Sequence, residues 1–360
     1  MADLLFVTRV LSPFQVNLFR QVRANGIDAR ITVVNGGIGT RPKYWGVDVP
    51  EWCTVDNFEN PRHLRKHLEK VRPRCILHTG YYGSSAREVV RTAPKLNAGL
   101  AFWLEQPLAG PSWRGVAKEP VIGRMLSAAD VLLCIGPRSL SYYQRLVGDG
   151  PRMLCLPYGD DLATNAAYER DWSTEGPLTF LFSGKLVQRN NIWEMLSAFR
   201  EVRQRNGDAV RLLLSGYAGF EPAVREECRR DPVLRDAVDW DVDFDTWDDR
   251  LRPFKNAHVK LICGLHAGWG LIVPEAMSLG MPIIGSTGIE SVRALVRSGR
   301  NGFVVEPMYT DIAEAMQRFV DDRSLVETLG RQARIDAMAC DSENVARRMV
   351  SILSPWLEAR

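Results

Sequence analysis

Short apolar runs alternate with amphipathic stretches along the whole 360-residue chain. The apolar runs span four to six residues and predict buried strands, whereas the amphipathic stretches predict helices. The predicted strands are 4–7, 29–34, 75–78, 100–104, 131–135, 178–183, 210–215, 259–262 and 282–285. The predicted helices are 15–25, 84–93, 139–146, 192–206, 274–279, 311–321 and 342–357. This alternation is typical of α/β proteins with parallel sheets covered by helices on both faces.

The alternation occurs twice, and the polar segment 165–176 interrupts both patterns. A chain of this length exceeds the size at which single cores stop growing, about 250–300 residues. We therefore predict two doubly wound domains, 1–165 and 177–340, with a hinge at 165–176.

Composition is ordinary for a soluble protein, with 46% apolar and 25% charged residues. No stretch approaches the roughly 18 apolar residues of a membrane span. The seven cysteines are odd in number and scattered, which favours buried reduced thiols in a cytoplasmic protein.

A basic segment at 61–74 carries apolar residues at helical spacing and predicts an amphipathic helix. Two interpretations remain open, a solvated helix face and a peripheral contact with the anionic inner face of a membrane. The net charge of +3 is modest and the basic run lacks interleaved aromatic residues, so no nucleic-acid partner is expected.

The most informative chemistry lies in residues 268–286, a glycine-rich loop, a predicted helix, a Gly-Met-Pro turn and an apolar strand. The glycines of Gly268-Trp269-Gly270 let backbone amides approach a ligand closely. The following helix directs its N-terminal end at the loop, which favours a phosphate. Glu275, near the start of that helix, is suited to accept hydrogen bonds from hydroxyl groups. Together these features indicate a nucleotide or a nucleotide sugar.

This block resembles the donor-binding motif of retaining GT-B glycosyltransferases of the family 4 type, the glycosyl transferases group 1. The family pattern has an acidic residue, seven residues and then Glu-Ala-Met, which Glu275 begins here. Ala267 stands where the first acid is expected. The resemblance implies two Rossmann-like domains facing across a cleft. The acceptor would bind on the side of 1–165 and the donor on 177–340, with a terminal helix at 341–360 packing back toward the first domain.

The loop after strand 178–183 presents Gly184, Lys185, Arg189 and Asn190. A strand that ends in glycine and then presents cations is suited to bind a diphosphate. The resemblance implies two cations here that stabilise the leaving phosphate. Lys185 takes the arginine place and Asn190 the lysine place, with Arg189 one position early as a substitute. The alternative is a pair of ordinary surface cations.

Further candidate residues follow other predicted strands. The amides of Gly288 and Ile289 are candidates to complete the diphosphate cradle, and Glu290 to bind a hydroxyl. His266 is a candidate to replace the missing acid. Glu105 is expected either to position the acceptor hydroxyl or to pair with a nearby arginine. The Asp-x-Asp spacing in 239–245 is interpreted as an acidic loop, and neither a metal nor a cofactor is expected.

The resemblance implies transfer of a hexosyl unit from a UDP- or GDP-linked sugar to a hydroxyl of a saccharide or lipid-linked acceptor. Polysaccharide, glycolipid or other glycoconjugate biosynthesis would use such a reaction. The anomeric configuration would be retained, and the leaving phosphate would take the acceptor proton. Two alternatives stay open. One is a non-catalytic homologue, motivated by Ala267 and Asn190, that binds a nucleotide sugar or a partner. The other is a sugar-nucleotide epimerase.

Overall fold

The computed structural model describes residues 2–34, 49–55, 61–81, 83–107, 118–242 and 248–357. Within them the chain forms two compact units, each with its own parallel sheet. Unit 1 contains residues 1–161 and 340–360, and unit 2 contains residues 162–339. The predicted α/β class with two doubly wound, Rossmann-like units is confirmed.

Seven parallel strands form the sheet in the described part of unit 1. In chain order they are β1 (Leu4–Thr8), β2 (Ala29–Val33), β3 (Cys53–Val55), β4 (Cys75–Thr79), β5 (Gly99–Leu104), β6 (Val131–Cys134) and β7 (Arg152–Cys155). Across the sheet the order is β3-β2-β1-β4-β5-β6-β7. Leu4 pairs with both Ala29 and Cys75, which places β1 between β2 and β4. Its five residues are all buried, as expected where helices cover both faces.

Five helices connect these strands in the described residues: α1 (Pro13–Ala24), α2 (Pro61–Val71), α3 (Gly83–Thr92), α4 (Glu119–Leu126) and α5 (Pro137–Val147). Four of them, α1, α2, α4 and α5, have proline in the first turn, where its missing N–H costs nothing. In α2 the apolar residues Leu64 and Leu68 are buried in the core of unit 1. Its basic side chains Arg62, Lys66 and Lys70 are exposed.

Six parallel strands form the sheet in the described part of unit 2. They are β8 (Leu178–Lys185), β9 (Val210–Tyr217), β10 (Val238–Trp240), β11 (Val259–Ile262), β12 (Ile283–Ser286) and β13 (Gly302–Val305). Their order is β10-β9-β8-β11-β12-β13, so β8, β11 and β12 are neighbours in the middle. The loops that follow these three strands therefore emerge side by side at the carboxyl edge of the sheet, where parallel sheets usually bind ligands.

The described helices of unit 2 cover both faces of its sheet. They are α6 (Leu162–Ala166), α7 (Ile192–Asn206), α8 (Glu221–Arg230), α9 (Arg252–Lys255), α10 (Ile272–Ser278), α11 (Glu290–Leu295), α12 (Tyr309–Asp321) and α13 (Leu325–Ala337). Apolar residues of α7 and α12 pack with β8, β9 and β11 in one core. The helix after the glycine-rich loop begins two residues earlier than predicted and comprises seven residues.

The last helix, α14 (Ser342–Leu357), belongs to unit 1 and packs against α1. The Arg74 guanidinium donates a hydrogen bond to the Leu357 carbonyl at 2.9 Å. At Gly99 a side chain would overlap the ring of Trp356, because the helix approaches the sheet closely there. The chain thus ends in the unit in which it began.

The predicted hinge at 165–176 is not a linker, because the unit boundary lies at residues 161 and 162. The buried Arg170 donates hydrogen bonds to the carbonyls of Phe254 (3.1 Å) and Ala257 in unit 2. Trp172 donates one to the Gly280 carbonyl at 3.3 Å. The segment is polar, but Arg170 and Trp172 fasten it to backbone carbonyls of unit 2.

All seven cysteines lie within the described residues and are free thiols, and only Cys155 is partly exposed. Burial raises the pKa of the Cys53 and Cys228 thiols to about 11. In the part of the chain that the structure describes, no helix combines the length and apolarity needed to cross a bilayer.

Candidate functional site

Three loops meet at the carboxyl edge of the unit 2 sheet. We call them the β8 loop (184–191), the β11 loop (263–271) and the β12 loop (287–289). They contain nearly all residues that the sequence nominated, and Glu275 and Glu290 lie in the helices that follow two of them. Glu105 is the exception, because it belongs to unit 1.

The β8 loop presents two cations to solvent. Gly184 has a φ of 126°, a backbone conformation that favours glycine. Lys185, the last residue of β8, and Arg189, in a one-turn 3-10 segment, are both exposed. Neither side chain has a partner among the described residues. Two unpaired cations on one short loop can bind an anion without first breaking an existing ion pair.

Asn190 shapes this loop instead of reaching outward. Its side-chain amide donates a hydrogen bond to the Lys185 carbonyl at 2.6 Å. The neighbouring Asn191, at a left-handed φ of 59°, donates to the carbonyls of Cys263 (3.1 Å) and Pro307 (2.8 Å). Asn190 therefore holds the cationic loop closed, and Asn191 ties it to the β11 loop. Sequence reasoning missed Asn191, although asparagine is the residue most tolerant of this backbone conformation after glycine.

The β8 and β11 loops touch through their backbones. The Leu265 amide donates a hydrogen bond to the Arg189 carbonyl at 2.7 Å. A side chain at Gly264 would lie 3.0 Å from that same carbonyl oxygen. Glycine at 264 thus permits the close approach that fixes the position of Arg189.

The β11 and β12 loops are joined in the same way. A side chain at Gly288 would overlap the carbonyl oxygens of Gly264 and Leu265. Ser286 donates a hydrogen bond to the Gly264 carbonyl. Ala267 forms an isolated parallel bridge with Ile289, and its amide lies 3.4 Å from the Gly288 carbonyl. At position 267 the backbone makes the contact between the two loops. The join therefore does not depend on the acidic side chain that the family pattern has there.

Ser291 and Ile289 contact the backbone of the Gly268-Trp269-Gly270 turn and support it. The Ser291 hydroxyl lies 2.9 Å from the carbonyls of both Trp269 and Gly270. Ile289 is buried and packs against the backbone of Gly270, which has a φ of 101°. Ile289 is thus a packing residue of this turn. No pattern in the sequence marked Ser291 as a residue that contacts this turn.

Trp269 is 3% exposed, and its indole N–H has no hydrogen-bond partner among the described residues. Unpaired buried donors are rare in folded proteins, since each costs about 1–3 kcal/mol. The sequence marked Trp269 only as part of the glycine-rich loop. The buried indole N–H without a partner distinguishes Trp269 from a residue whose side chain only packs against its neighbours.

Two carboxylates are buried beside these loops. Glu275 lies in α10 and is 4% exposed, and Glu290 begins α11 and is also buried. His266 is partly exposed beside Ala267. Cations thus occupy the exposed β8 loop, whereas carboxylates occupy the interior behind the β11 and β12 loops.

A buried lysine, Lys260 in β11, lies within the electrostatic field of Glu275. Burial lowers its pKa from 10.5 to about 7, and the charges of Cys263 and Glu275 oppose that shift. Sequence reasoning missed this residue. The signal was present, since a lysine interrupts an otherwise apolar strand.

In unit 1, Glu105 follows β5 and is half-buried. Burial raises the pKa of its carboxyl group, and a hydrogen bond from the Tyr158 hydroxyl opposes that rise. The Tyr143 hydroxyl donates to the Glu105 backbone carbonyl at 2.8 Å. In the described part of the chain the partner of this carboxyl group is therefore a tyrosine, whereas the sequence offered an arginine as an alternative. Tyr158 itself packs edge-on against Trp103, with ring centroids 4.9 Å apart.

The predicted Asp-x-Asp loop provides no metal site in the described residues. Asp239 pairs with Arg211, and Asp241 pairs with Arg252. Residues 243–247, which include the remaining aspartates of that pattern, lie outside the described residues. In the described ranges no group of three or more metal-binding side chains comes together.

The fold is similar to that of solved glycosyltransferases of the GT-B type. The sucrose-phosphate synthase of Thermosynechococcus elongatus has a TM-score of 0.74 and 17% identity, over 99% of this chain and 100% of that one. HepE of Anabaena, solved in complex with UDP and glucose, has a TM-score of 0.71 and 14% identity over 99% and 100%. The chain therefore has the GT-B fold.

Sequence comparisons identify the second unit more closely. Residues 167–336, which form most of unit 2, match the model of the family described as glycosyl transferases group 1. The capsular polysaccharide biosynthesis glycosyltransferase CapM of Staphylococcus aureus is 27% identical over 154 residues, 42% of this chain. An uncharacterised glycosyltransferase of Methanocaldococcus jannaschii is 24% identical over 180 residues, 49% of this chain. The aligned segments span 39% and 45% of these relatives' own lengths.

Proposed function

We propose that the protein is a retaining glycosyltransferase of the family 4 type that moves a hexosyl unit from a nucleotide-diphosphate sugar to an acceptor hydroxyl. The observation that carries this proposal is the join of the three loops in unit 2. It holds two unpaired cations beside backbone amides and buried carboxylates. The group 1 match covers this same unit, and HepE, which has a similar fold, was solved in complex with UDP and glucose.

The cations have the role of binding the diphosphate. Lys185 and Arg189 would stabilise the negative charge that develops on the leaving phosphate, and the guanidinium of Arg189 suits two phosphate oxygens at once. Amides of Gly268, Gly270, Gly288 and Ile289 are the further donors. Asn190 contributes by holding Lys185 in place, because its amide already bonds the Lys185 carbonyl.

The carboxylates have the role of binding hydroxyl groups. Glu275 and Glu290 would accept hydrogen bonds from the ribose and the hexose, since an ionised carboxylate can accept several at once. His266 would take part of the role of the acid that Ala267 lacks. The indole N–H of Trp269 is a further donor for a bound ligand, since it has no other acceptor in the described residues.

The acceptor would bind at unit 1, at the carboxyl end of β5. Glu105 would position the acceptor hydroxyl there, with Tyr158 holding the carboxylate. The leaving phosphate would then accept the hydroxyl proton on the same face of the sugar, which retains the anomeric configuration. This chemistry requires no cofactor, and we propose that it also proceeds without a metal.

The acceptor class that fits best is a saccharide or a lipid-linked saccharide, because the relative CapM is described as an enzyme of capsular polysaccharide biosynthesis. Contact with an anionic membrane would occur through the basic face of α2. That contact would depend on charge alone, because Leu64 and Leu68 are buried in unit 1 and cannot insert into lipid. The location we propose is the cytoplasm, with peripheral attachment to the inner membrane face.

A second candidate function is binding of a nucleotide sugar without turnover. Two observations favour it: Ala267 offers no carboxylate to the hexose, and the amide of Asn190 is used within its own loop. Such a protein would bind the donor and act through a partner.

The test begins with thermal unfolding in the presence of UDP-glucose, UDP-N-acetylglucosamine, GDP-glucose and GDP-mannose. A ligand at 100 times its dissociation constant stabilises the fold by about 2.7 kcal/mol. Release of UDP or GDP is then measured with saccharide acceptors, and the product anomer is determined by NMR. Stabilisation by none of the four would refute the proposal. Stabilisation without release would favour the second candidate, and conversion of the donor without acceptor would indicate an epimerase.

A further inference from the structure

The C-terminal end of α10 lies at the amino edge of the unit 2 sheet, opposite the three loops of the candidate site. Leu279 caps the helix, and Gly280 leads into β12. From a side chain at this glycine, atoms of Arg334, Trp172 and Arg170 would lie within 3.2 Å. Three large side chains from outside α10 therefore meet at the end of this helix.

Each of these side chains donates a hydrogen bond to a carbonyl at the end of α10. Arg170 and Arg334 both donate to the Leu279 carbonyl, at 3.4 and 3.3 Å. Trp172 donates to the Gly280 carbonyl at 3.3 Å. The last carbonyls of a helix have no partner within the helix, and cations there also interact favourably with the helix dipole. The three side chains thus supply the donors that α10 lacks at its end.

Arg170 is the most buried of the three, at 7% exposed. Its guanidinium also donates to the carbonyls of Phe254, at 3.1 Å, and Ala257, which precede β11. In the described ranges it pairs with no carboxylate, and burial lowers its pKa to about 10. A buried charge without a carboxylate partner is a poor source of stability. The segments that Arg170 joins explain its presence better than the stability of the fold does.

Glu275 lies one helical turn before the end of α10. The Leu279 amide donates a hydrogen bond to the Glu275 carbonyl at 3.3 Å, and the Ser278 hydroxyl donates to the same carbonyl at 2.7 Å. The residue whose carbonyl Arg170 binds is thus itself bonded to the backbone of Glu275. Because α10 has only seven residues, it is not stable without tertiary contacts. Its position therefore depends on the contacts at its end.

We propose that Arg170 is a positioning residue, which fixes the C-terminal end of α10 and thereby the direction in which Glu275 meets the donor. The inference rests on the proposed function, because it assigns a support to one residue of that site. Without Arg170 the last turn would open more often, and Glu275 would lose part of its fixed orientation. Binding of the donor hydroxyls would then have to order that turn, which costs affinity. The β8 loop lies at the opposite edge of the sheet and would keep its affinity for phosphate.

The first test compares Arg170→Met with Arg323→Met as a matched control. Arg323 donates to the carbonyls of Thr174 and Gly176, both at 2.6 Å. It also donates to the Ala209 carbonyl at 3.2 Å, so it fastens the same polar segment without bonding α10. Both variants should have a lower melting temperature than wild type. Only Arg170→Met should weaken binding of UDP-glucose or GDP-glucose, by about three- to tenfold, with the affinity for inorganic diphosphate unchanged. A merely structural arginine would leave the ratio of the two affinities the same in both variants.

The second test measures hydrogen exchange of the amides of residues 276–279 with no ligand present. These amides should exchange faster in Arg170→Met than in wild type or in Arg323→Met. A double-mutant cycle with Glu275→Ala completes the test. In the Glu275→Ala background, Arg170→Met should change nucleotide-sugar affinity by less than about twofold, because the carboxylate through which Arg170 acts is gone.

The outcomes separate the two claims. If wild type binds neither UDP-glucose nor GDP-glucose, the proposed function fails and the inference fails with it. If wild type binds one of them and Arg170→Met has the wild-type ratio of affinities, or if exchange of 276–279 is unchanged, the role of Arg170 fails alone. Arg334→Met and Trp172→Phe remove the other two bonds at the end of α10 and replace Arg170→Met if that variant does not fold. Each should lower the same ratio by a smaller factor, and an unchanged ratio in both would overturn the inference.

Discussion

Lys185 offers a direct test of the proposed donor site because its side chain is exposed and has no partner in the described part of the chain. We consider Lys185→Ala. Removal of an unpaired surface cation breaks no contact, so the free energy of unfolding should change by less than about 0.5 kcal/mol. Any loss of ligand affinity can then be attributed to the lost charge and not to a damaged fold.

The expected loss of affinity follows from the kind of contact. A hydrogen bond to a charged group contributes about 1.5–3 kcal/mol, and a tenfold change in affinity corresponds to about 1.4 kcal/mol. Because Lys185 is exposed, water and salt screen its charge, which favours the lower end of that range. We therefore expect the dissociation constant of the nucleotide sugar to rise about 10- to 30-fold.

The assay is isothermal titration of the nucleotide sugar that stabilises wild type, repeated at two salt concentrations. The control is Lys255→Ala, which removes an exposed cation that lies 4.9 Å from the centroid of the Tyr168 ring. Lys255 is also exposed and lies in unit 2, but it ends α9, before β11 begins, and so belongs to the other edge of the sheet. The control should bind like wild type. The affinity of Lys185→Ala should also depend less on salt than that of wild type, since one cation is gone.

Equal affinities for wild type, Lys185→Ala and Lys255→Ala would show that the diphosphate does not contact the β8 loop. Equal losses in both variants would show a general effect of net charge. Either result would refute the assignment of Lys185.

Three further predictions concern the loops and the acceptor side. Gly288→Ala should lower the free energy of unfolding by about 1–3 kcal/mol, because the new methyl group overlaps the carbonyls of Gly264 and Leu265. Unfolding in urea measures the loss, with Gly150→Ala as the control, because a methyl group at Gly150 has room. Trp103→Phe should lower the free energy of unfolding by about 1–3 kcal/mol, because it leaves the Leu156 carbonyl without the indole donor at 3.0 Å. Trp269→Phe breaks no such bond and should lower the free energy of unfolding by less. Equal losses in the two variants would contradict this. Tyr158→Phe should raise the pKa of Glu105 further, because the tyrosine hydrogen bond opposes the rise caused by burial. NMR titration of the Glu105 carboxyl group would detect the higher pKa. An unchanged pKa would be inconsistent with that hydrogen bond.

The position of a strand in its sheet decided whether the sequence revealed it. The nine strands predicted from the sequence are the interior strands of the two described sheets. The four that were missed are the edge strands β3, β7, β10 and β13. Interior strands of parallel sheets are buried on both faces and form continuous apolar runs. The missed strands have three or four residues, and β7 and β10 contain no fully buried residue.

The helices that the sequence did not predict show a related limit of the hydrophobic pattern. In α8 only Val224 and Cys228 are buried among ten residues, so its apolar stripe is too thin to recognise. The buried face of α13 contains Gly330, Ala333 and Ala337 beside its larger apolar residues. Small residues pack closely but contribute little to a hydrophobic pattern. The helices that were predicted, such as α7, bury larger side chains at regular spacing.

For the candidate site, the sequence nominated residues but did not indicate how they interact. Motif positions identified the glycine-rich loop, Lys185 and Glu275, and the group 1 match covers these positions. Their roles remain predictions. Asn191 and Lys260 contact residues 70 or more positions away, and Ser291 contacts the preceding β11 loop, which spacing along the chain does not express. Only the meeting of β8, β11 and β12 brings those partners together.

The two departures from the family pattern, Ala267 and Asn190, have different consequences for the site. The three loops are joined mainly by backbone atoms and by glycines that admit close approach, so an alanine at 267 leaves the join intact. Under the proposed function, the site would lose one ligand contact there. Asn190 loses a charge but gains a hydrogen bond that holds the loop bearing Lys185 and Arg189. Because Arg189 stands next to it with no partner in the described residues, the loop still presents two cations, which is the charge that a leaving diphosphate requires.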